Sequence, residues 1–249
     1  MRYAIGLPTV GQFGDVRALL ELAVSAERHG WDGVHLWDHV LYHQEGWPVA
    51  SPTVAAAAIA AATSRVHILL TVAVPRRQVQ EVAQDSAAIN ALSGGRLTLV
   101  ATLGSMDREY TEFGLDPDLR TRGRAMDERL ARLQDLWREW NVPPVPIWCG
   151  ARWPRTAGLR RAARFDGAMP TFEEQRTSPV PLDALQGAAA FVPGKDLALE
   201  GFTNGPTDAA RLTQYADAGA TWWIEALGWW RGDLTAAKTR IEAGPPRGQ

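Results

Sequence analysis

Two reactive residue types are nearly missing from this chain: it has one cysteine, Cys149, and two lysines, Lys195 and Lys238, in 249 residues. A single cysteine excludes an internal disulfide, and the absence of a cysteine pair excludes the usual cysteine-based zinc sites. That usage predicts a reducing, cytoplasmic location. Both lysines fall outside the apolar runs, which argues against an aldolase- or isomerase-type barrel that would need a lysine pointing inward. A dominant charge sign is absent too. With 26 basic and 28 acidic residues the formal net charge is −2, so no global field favours nucleic acid or an anionic membrane as a partner. No apolar run approaches a membrane span. The N-terminal MRYAIGLPTVGQF is broken by Gly6, Pro8 and Gly11 before it could form the apolar part of a signal peptide.

What is present is a regular alternation. Eight short apolar runs, YAIGLP, GVHLW, HILLTV, LTLVAT, VPIWCG, GAMP, LALEGF and TWWIEAL, read as strands. Between them lie helical patterns such as Val16, Leu19, Leu20, Ala23 and Val24, or Met126, Leu130, Leu133, Trp137 and Trp140. Asp15 is placed to cap the first helix, Gly30 to end it, and Gly94-Gly95 to close the third. Eight βα units in one chain of this length predict an α/β fold, a (β/α)8 TIM barrel, rather than a doubly wound sheet. A single domain is expected over residues 1–244, with 245–249 a loose tail. The Pro-, Ser- and Thr-rich stretch from Thr171 to Lys195 should be irregular apart from a helix over Leu182 to Ala190.

Barrel enzymes place their chemistry at the C-terminal ends of the strands. GWDGVHLWDHV therefore draws attention, because it puts Asp38 and His39 at such an exit. Alternation along the strand turns His35, Trp37 and His39 inward. A histidine at the mouth, with Asp38 to orient it, suits general acid/base work; the alternative is a solvated loop pair. His35, His39 and His43 would form a metal-ligand stripe only on a helix, and the strand reading breaks it, so no metal is expected. In TWWIEAL, Glu225 is read as inward with Trp223, either as a second catalytic carboxylate or in an internal ion pair with an arginine. After the fifth strand, CGARWPRTAGL offers Gly150, Arg152 and Arg155 before a helix with Pro154 in its first turn, an arrangement that attracts phosphate. GFTNGPTD after the seventh strand offers a second glycine-rich turn.

These stretches, with AAIAAATSRVHILLTVAVPRR, INALSGGRLTLVATLG and RGRAMDERLARLQDLW, resemble the luciferase-like monooxygenases over most of the chain, LSGGRL and GATWW most tellingly. The resemblance implies a barrel that uses FMN or the deazaflavin coenzyme to oxidise or oxygenate a small organic substrate. It implies that Asp38 and His39 lie beside the cofactor ring, with His39 the proton carrier. It also implies a strained bulge, often with a non-proline cis peptide, at Thr71 and Val72, and cofactor contacts at Gly104, Ser105, Gly150, Ala151 and Arg152. Relatives are commonly homodimers, and the alanine-rich helix from Thr53 to Thr63 is the expected contact. Two departures stand out. Val100 and Thr102 replace glycines of the fourth strand, which predicts a narrower floor. REWNVPPVP crosses directly from Trp137 to the fifth strand, where relatives insert a long excursion. A barrel that binds flavin weakly, or not at all, and has lost turnover is the alternative.

Overall fold

A computed structural model describes residues 1–204 and 208–247. The chain runs β1 (Arg2–Leu7), α1 (Val16–Arg28), β2 (Gly33–Leu36), α2 (Pro52–Ala62), β3 (His67–Ala73), α3 (Val79–Leu92), β4 (Leu97–Thr102), α4 (Arg108–Thr111) and α5 (Leu119–Glu139). It continues through β5 (Ile147–Arg152), α6 (Ala157–Ala162), β6 (Gly167–Thr171), α7 (Leu182–Ala189), β7 (Asp196–Gly201), α8 (Asp208–Asp217), β8 (Trp222–Ala226) and α9 (Leu234–Glu242). The eight strands are all parallel and close into one barrel in sequence order, β8 pairing back to β1. All eight expected strands form, because each is a short apolar run buried on both faces, as a parallel sheet requires.

Local punctuation sets the helix ends. The Asp15 carboxylate accepts from the Arg17 amide at 2.9 Å and caps α1, while Asp118 caps α5 by accepting from Arg120 and Thr121. Gly30 and Gly94 follow α1 and α3 at φ +80° and +67°, a region that disfavours any residue with a Cβ. After α5 the chain crosses within a few residues to β5, as expected.

The barrel has two apolar compartments. Ala4, Leu69, Val100, Trp148, Trp222 and Ile224 fill its inside, and a larger layer lies between the strands and the helices. Trp222 and Ile224 belong to the inner set and Trp223 to the outer one. This corrects the expected phase of β8: Glu225, on the Trp223 face, points out of the barrel. Val100 likewise sits in the packed inner layer and not on an open floor. Thr102 is accommodated by its neighbour, since a Cβ at Gly150 would come within 2.8 Å of the Thr102 methyl.

Two further expectations change. β3 pairs with β4 without interruption from Ile68↔Leu97 to Ala73↔Thr102, so no bulge occurs at Thr71 and Val72. The one cis peptide among the described residues is Trp153–Pro154, and Pro154 precedes α6 instead of opening it. The turn expected in GFTNGPTD lies partly outside the described residues, as do the last two positions of the expected tail. Arg247 is tied to Asp32 at 2.8 Å. Among the described residues no helix is long and apolar enough to cross a membrane.

Candidate active site at the barrel mouth

The chain leaves β2 with the Trp37 amide still donating to the Leu7 carbonyl at 3.3 Å, which carries the strand direction to the rim. Asp38 then turns away from its neighbour. Its carboxylate accepts from the amide of Ala73, the last residue of β3, at 2.8 Å and pairs with Arg76 at 2.9 Å and Arg77 at 2.5 Å just beyond it. Asp38 therefore pins two strand exits together and does not touch the His39 ring.

The partner of His39 is Glu109, from the short helix α4. His39 Nδ1 lies 3.2 Å from Glu109 Oε1, which also accepts from the Val40 amide at 2.8 Å; Glu109 Oε2 pairs with Arg76 Nη1 at 2.7 Å. Arg76 thus bridges Asp38 and Glu109 in a buried row, and the two carboxylates balance Arg76 and Arg77. Burial pushes the Glu109 carboxyl up. The hydrogen bond and charge of His39, the Arg76 guanidinium and the Val40 amide outweigh it and hold it below the usual glutamate range.

An ionised Glu109 only accepts hydrogen bonds, so Nδ1 must carry the proton that it donates. That fixes the tautomer and leaves the lone pair of Nε2 free, with no hydrogen-bond partner among the described residues. A histidine held this way can take up a proton at Nε2 and return it while the buried carboxylate stabilises the charged ring.

The ring packs edge-on against Trp37 and Tyr42, at 5.9 and 5.1 Å between centroids. Beyond them Trp47, Trp229 and Trp230 complete an aromatic surface on the β1–β2–β8 side. Arg176, from the loop after β6, lies over Trp37 at 4.4 Å and Trp230 at 5.0 Å. Its Nε meets Glu200 inside the barrel at 3.3 Å.

Deeper still, His35 Nε2 bonds the Thr71 hydroxyl at 2.8 Å, and Nδ1 stands 3.7 Å from Glu200. Burial drives the His35 pKa down to about 4 against the opposing pull of Glu200, with Arg176 helping to lower it. His35 is thus a neutral, hydrogen-bonded histidine of the barrel interior. His43 is exposed. The three histidines go to three separate places.

The remaining expected residues divide. Thr71 lines the interior through its bond to His35, while Val72 packs into the outer layer. Gly104, at φ +74°, turns the chain beneath the Tyr110 hydroxyl, and Ser105 is exposed beside it. Gly150 and Ala151 are half-buried at the end of β5; Arg152 and Arg155 are exposed there. Glu225 is brought near none of these. Wholly buried outside the barrel, it accepts from the Thr203 amide and hydroxyl and from Trp223 Nε1, and it pairs with Arg231 at 2.6 Å and Arg240 at 3.4 Å. That is the ion-pair alternative. The inward glutamate is Glu200.

Sequence reasoning missed Glu109, Arg76, Glu200 and Arg176. Glu109 had one usable signal: a carboxylate just past the C-terminal end of a barrel strand.

The family model described as luciferase-like monooxygenase matches residues 3–202. An F420-dependent glucose-6-phosphate dehydrogenase of Nakamurella multipartita is 27% identical over 232 residues, spanning 82% of this chain and 68% of that relative. One of the same description from Amycolatopsis mediterranei is 33% identical over 135 residues, 53% of this chain and 40% of its own length. The matches therefore span 40% to 68% of these relatives' own length. Among solved structures, an F420-dependent secondary alcohol dehydrogenase in complex with an F420-acetone adduct superposes with a TM-score of 0.79. It covers 98% of both chains at 16% identity, a likeness of fold.

Proposed function

Because the chain belongs to the luciferase-like monooxygenase family, we propose that it is a flavin- or deazaflavin-dependent oxidoreductase acting on a small organic substrate, with His39 as the proton carrier. The observation that carries this reading is the His39–Glu109 pair. It combines a fixed tautomer, a buried carboxylate and a free Nε2 at the end of a barrel where such enzymes work. The F420-dependent relatives favour the deazaflavin over FMN.

The residues present fit such a cofactor. The exposed guanidinium groups of Arg152 and Arg155 at the β5 exit can hold an anionic tail, beside the half-buried backbone of Gly150 and Ala151. When bound, the cofactor supplies the hydride donor or acceptor. The chain's own part is to hold a proton at His39 Nε2, keep the ring oriented through Glu109, and cover the mouth with apolar surface that excludes water. Arg76 and Asp38 position Glu109.

The test is a titration of the purified protein with the deazaflavin and with FMN, followed by absorbance and fluorescence. A saturable response, tighter for the deazaflavin, is expected; no response to either would refute the reading.

The proposal extends to a homodimer through α2, whose outer face carries small side chains and Val54, 57% exposed. A monomer mass by light scattering at all concentrations would refute this part. The proposal places the chain in the cytoplasm, on the single free thiol, Cys149.

A further inference from the structure

The mouth of the barrel is chemically divided. In a closed barrel of eight strands in sequence order, β5 lies opposite β1. The exposed arginines stand at β5, and the aromatic surface stands around β1, β2 and β8. On the aromatic side, Trp229 meets Trp47 at 5.0 Å, Tyr42 at 5.2 Å and Trp230 at 4.8 Å, and Trp37 stacks on Trp230 at 5.6 Å. Tyr42, Trp47, Trp229 and Trp230 are only half-buried, so this platform keeps apolar ring surface open to the mouth, beside His39.

Two glycines seat the rings. A Cβ at Gly11 would meet the Trp47 ring at 2.7 Å, and one at Gly228 would meet the Trp230 ring at 2.1 Å. Backbone is thus kept bare under two indoles, which fixes their planes. Among the described residues one cation lies over the platform rings, Arg176. Its charge is already met by Glu200 and by the faces of Trp37 and Trp230. Nothing there among the described residues resembles the several converging donors that a phosphate monoester needs.

From this we infer that the substrate is an uncharged, largely apolar, ring-bearing molecule that lies on the half-buried rings of Tyr42, Trp47, Trp229 and Trp230, with buried Trp37 behind them, and not a sugar phosphate. The inference rests on the proposed oxidoreductase function but is separable from it. Aromatic faces gain most from flat apolar partners, and an unpaired phosphate beside Glu200 would face a buried negative charge. The phosphate-type contacts at β5 then serve the cofactor.

The test reads ligand binding to the protein alone through its tryptophan fluorescence, with cyclohexanone and glucose 6-phosphate as probes. Saturable quenching by cyclohexanone is expected, at least tenfold tighter than any response to glucose 6-phosphate. Trp229→Ala should weaken cyclohexanone at least tenfold while far-UV circular dichroism stays unchanged. Tyr42→Ala, on the loop after β2, is the second variant if the first fails to fold. Tighter binding of glucose 6-phosphate, or unchanged cyclohexanone affinity in a folded platform variant, would overturn the inference. The cofactor titration is run without either probe, so a failure there refutes the oxidoreductase reading and leaves this result standing.

Discussion

Glu109 and Glu225 are both fully buried glutamates, and both are held by arginine. Their surroundings differ in one respect. Every donor around Glu225 is permanent: two guanidinium groups, an amide, a hydroxyl and an indole N–H. One donor around Glu109 is a histidine whose far nitrogen is free. A saturated carboxylate can only hold structure together, whereas one that shares its charge with a titratable ring can bias a proton. Burial alone therefore does not mark a functional carboxylate; the open atom on its partner does.

The largest expected effect breaks the structural member of the pair. Glu225→Ala leaves Arg231 and Arg240 facing a buried void and should cost about 3–5 kcal/mol of stability by urea unfolding, with cofactor affinity unchanged in the folded fraction. A loss below about 1 kcal/mol would mean that the arginines re-solvate freely.

Close behind comes the pH dependence of His35. Its native pKa of about 4 lies below its ordinary value, so the unfolded chain binds this proton more readily. The contribution is complete above about pH 6.5 and is lost as pH falls towards 4, amounting to about 3 kcal/mol. His35→Gln should flatten stability over that window. An equally steep loss in the variant would assign the effect to another group.

His39→Ala should lower turnover about 10²-fold, as removal of a general acid/base does, with the melting temperature little changed. Turnover is read as the absorbance change of the bound cofactor with a cyclic alcohol. Glu109→Gln should do less, about tenfold, since the ring remains but its charged form loses support. It should also shift the pH profile, which a purely structural role would not do. Because the native Glu109 pKa is depressed, the stability that Glu109 adds is present above the ordinary glutamate range and lost as pH falls through its lowered value. The gap between wild type and variant should close in acid. Smallest of all, Arg152→Gln at the exposed end of β5 should weaken cofactor binding about threefold, and the difference should vanish at high salt.

The same two glutamates show how far the sequence could be read. Strands, the first cap and barrel closure follow from local patterns: apolar runs, Asp15 and the glycines behind α1 and α3. His39 and the interior place of His35 follow from alternation in β2, where polar residues mark the phase. In β8 that marker fails. Trp222, Trp223, Ile224 and Ala226 are buried apolar residues on both faces, so nothing in TWWIEAL says which way Glu225 points, and its arginine partners come from α9 and the turn before it. Glu109 carried no signal beyond its position after β4, because its partners His39 and Arg76 come from the exits of other strands and only the fold brings them together. The expected Asp38–His39 contact failed because Arg76 and Arg77, some 40 residues on, claim Asp38 first. Backbone geometry at Thr71 and Val72 has no signature in residue type at all.

The central claim is that Glu109 fixes His39 with Nδ1 protonated and Nε2 free. It is tested most directly by 15N NMR of the protein labelled in histidine, with His39 assigned by its loss in His39→Ala. The neutral His39 ring should report an Nδ1–H tautomer in the wild type and lose that preference in Glu109→Gln. A dominant Nε2–H tautomer in the wild type, or the same tautomer with and without Glu109, would contradict the account.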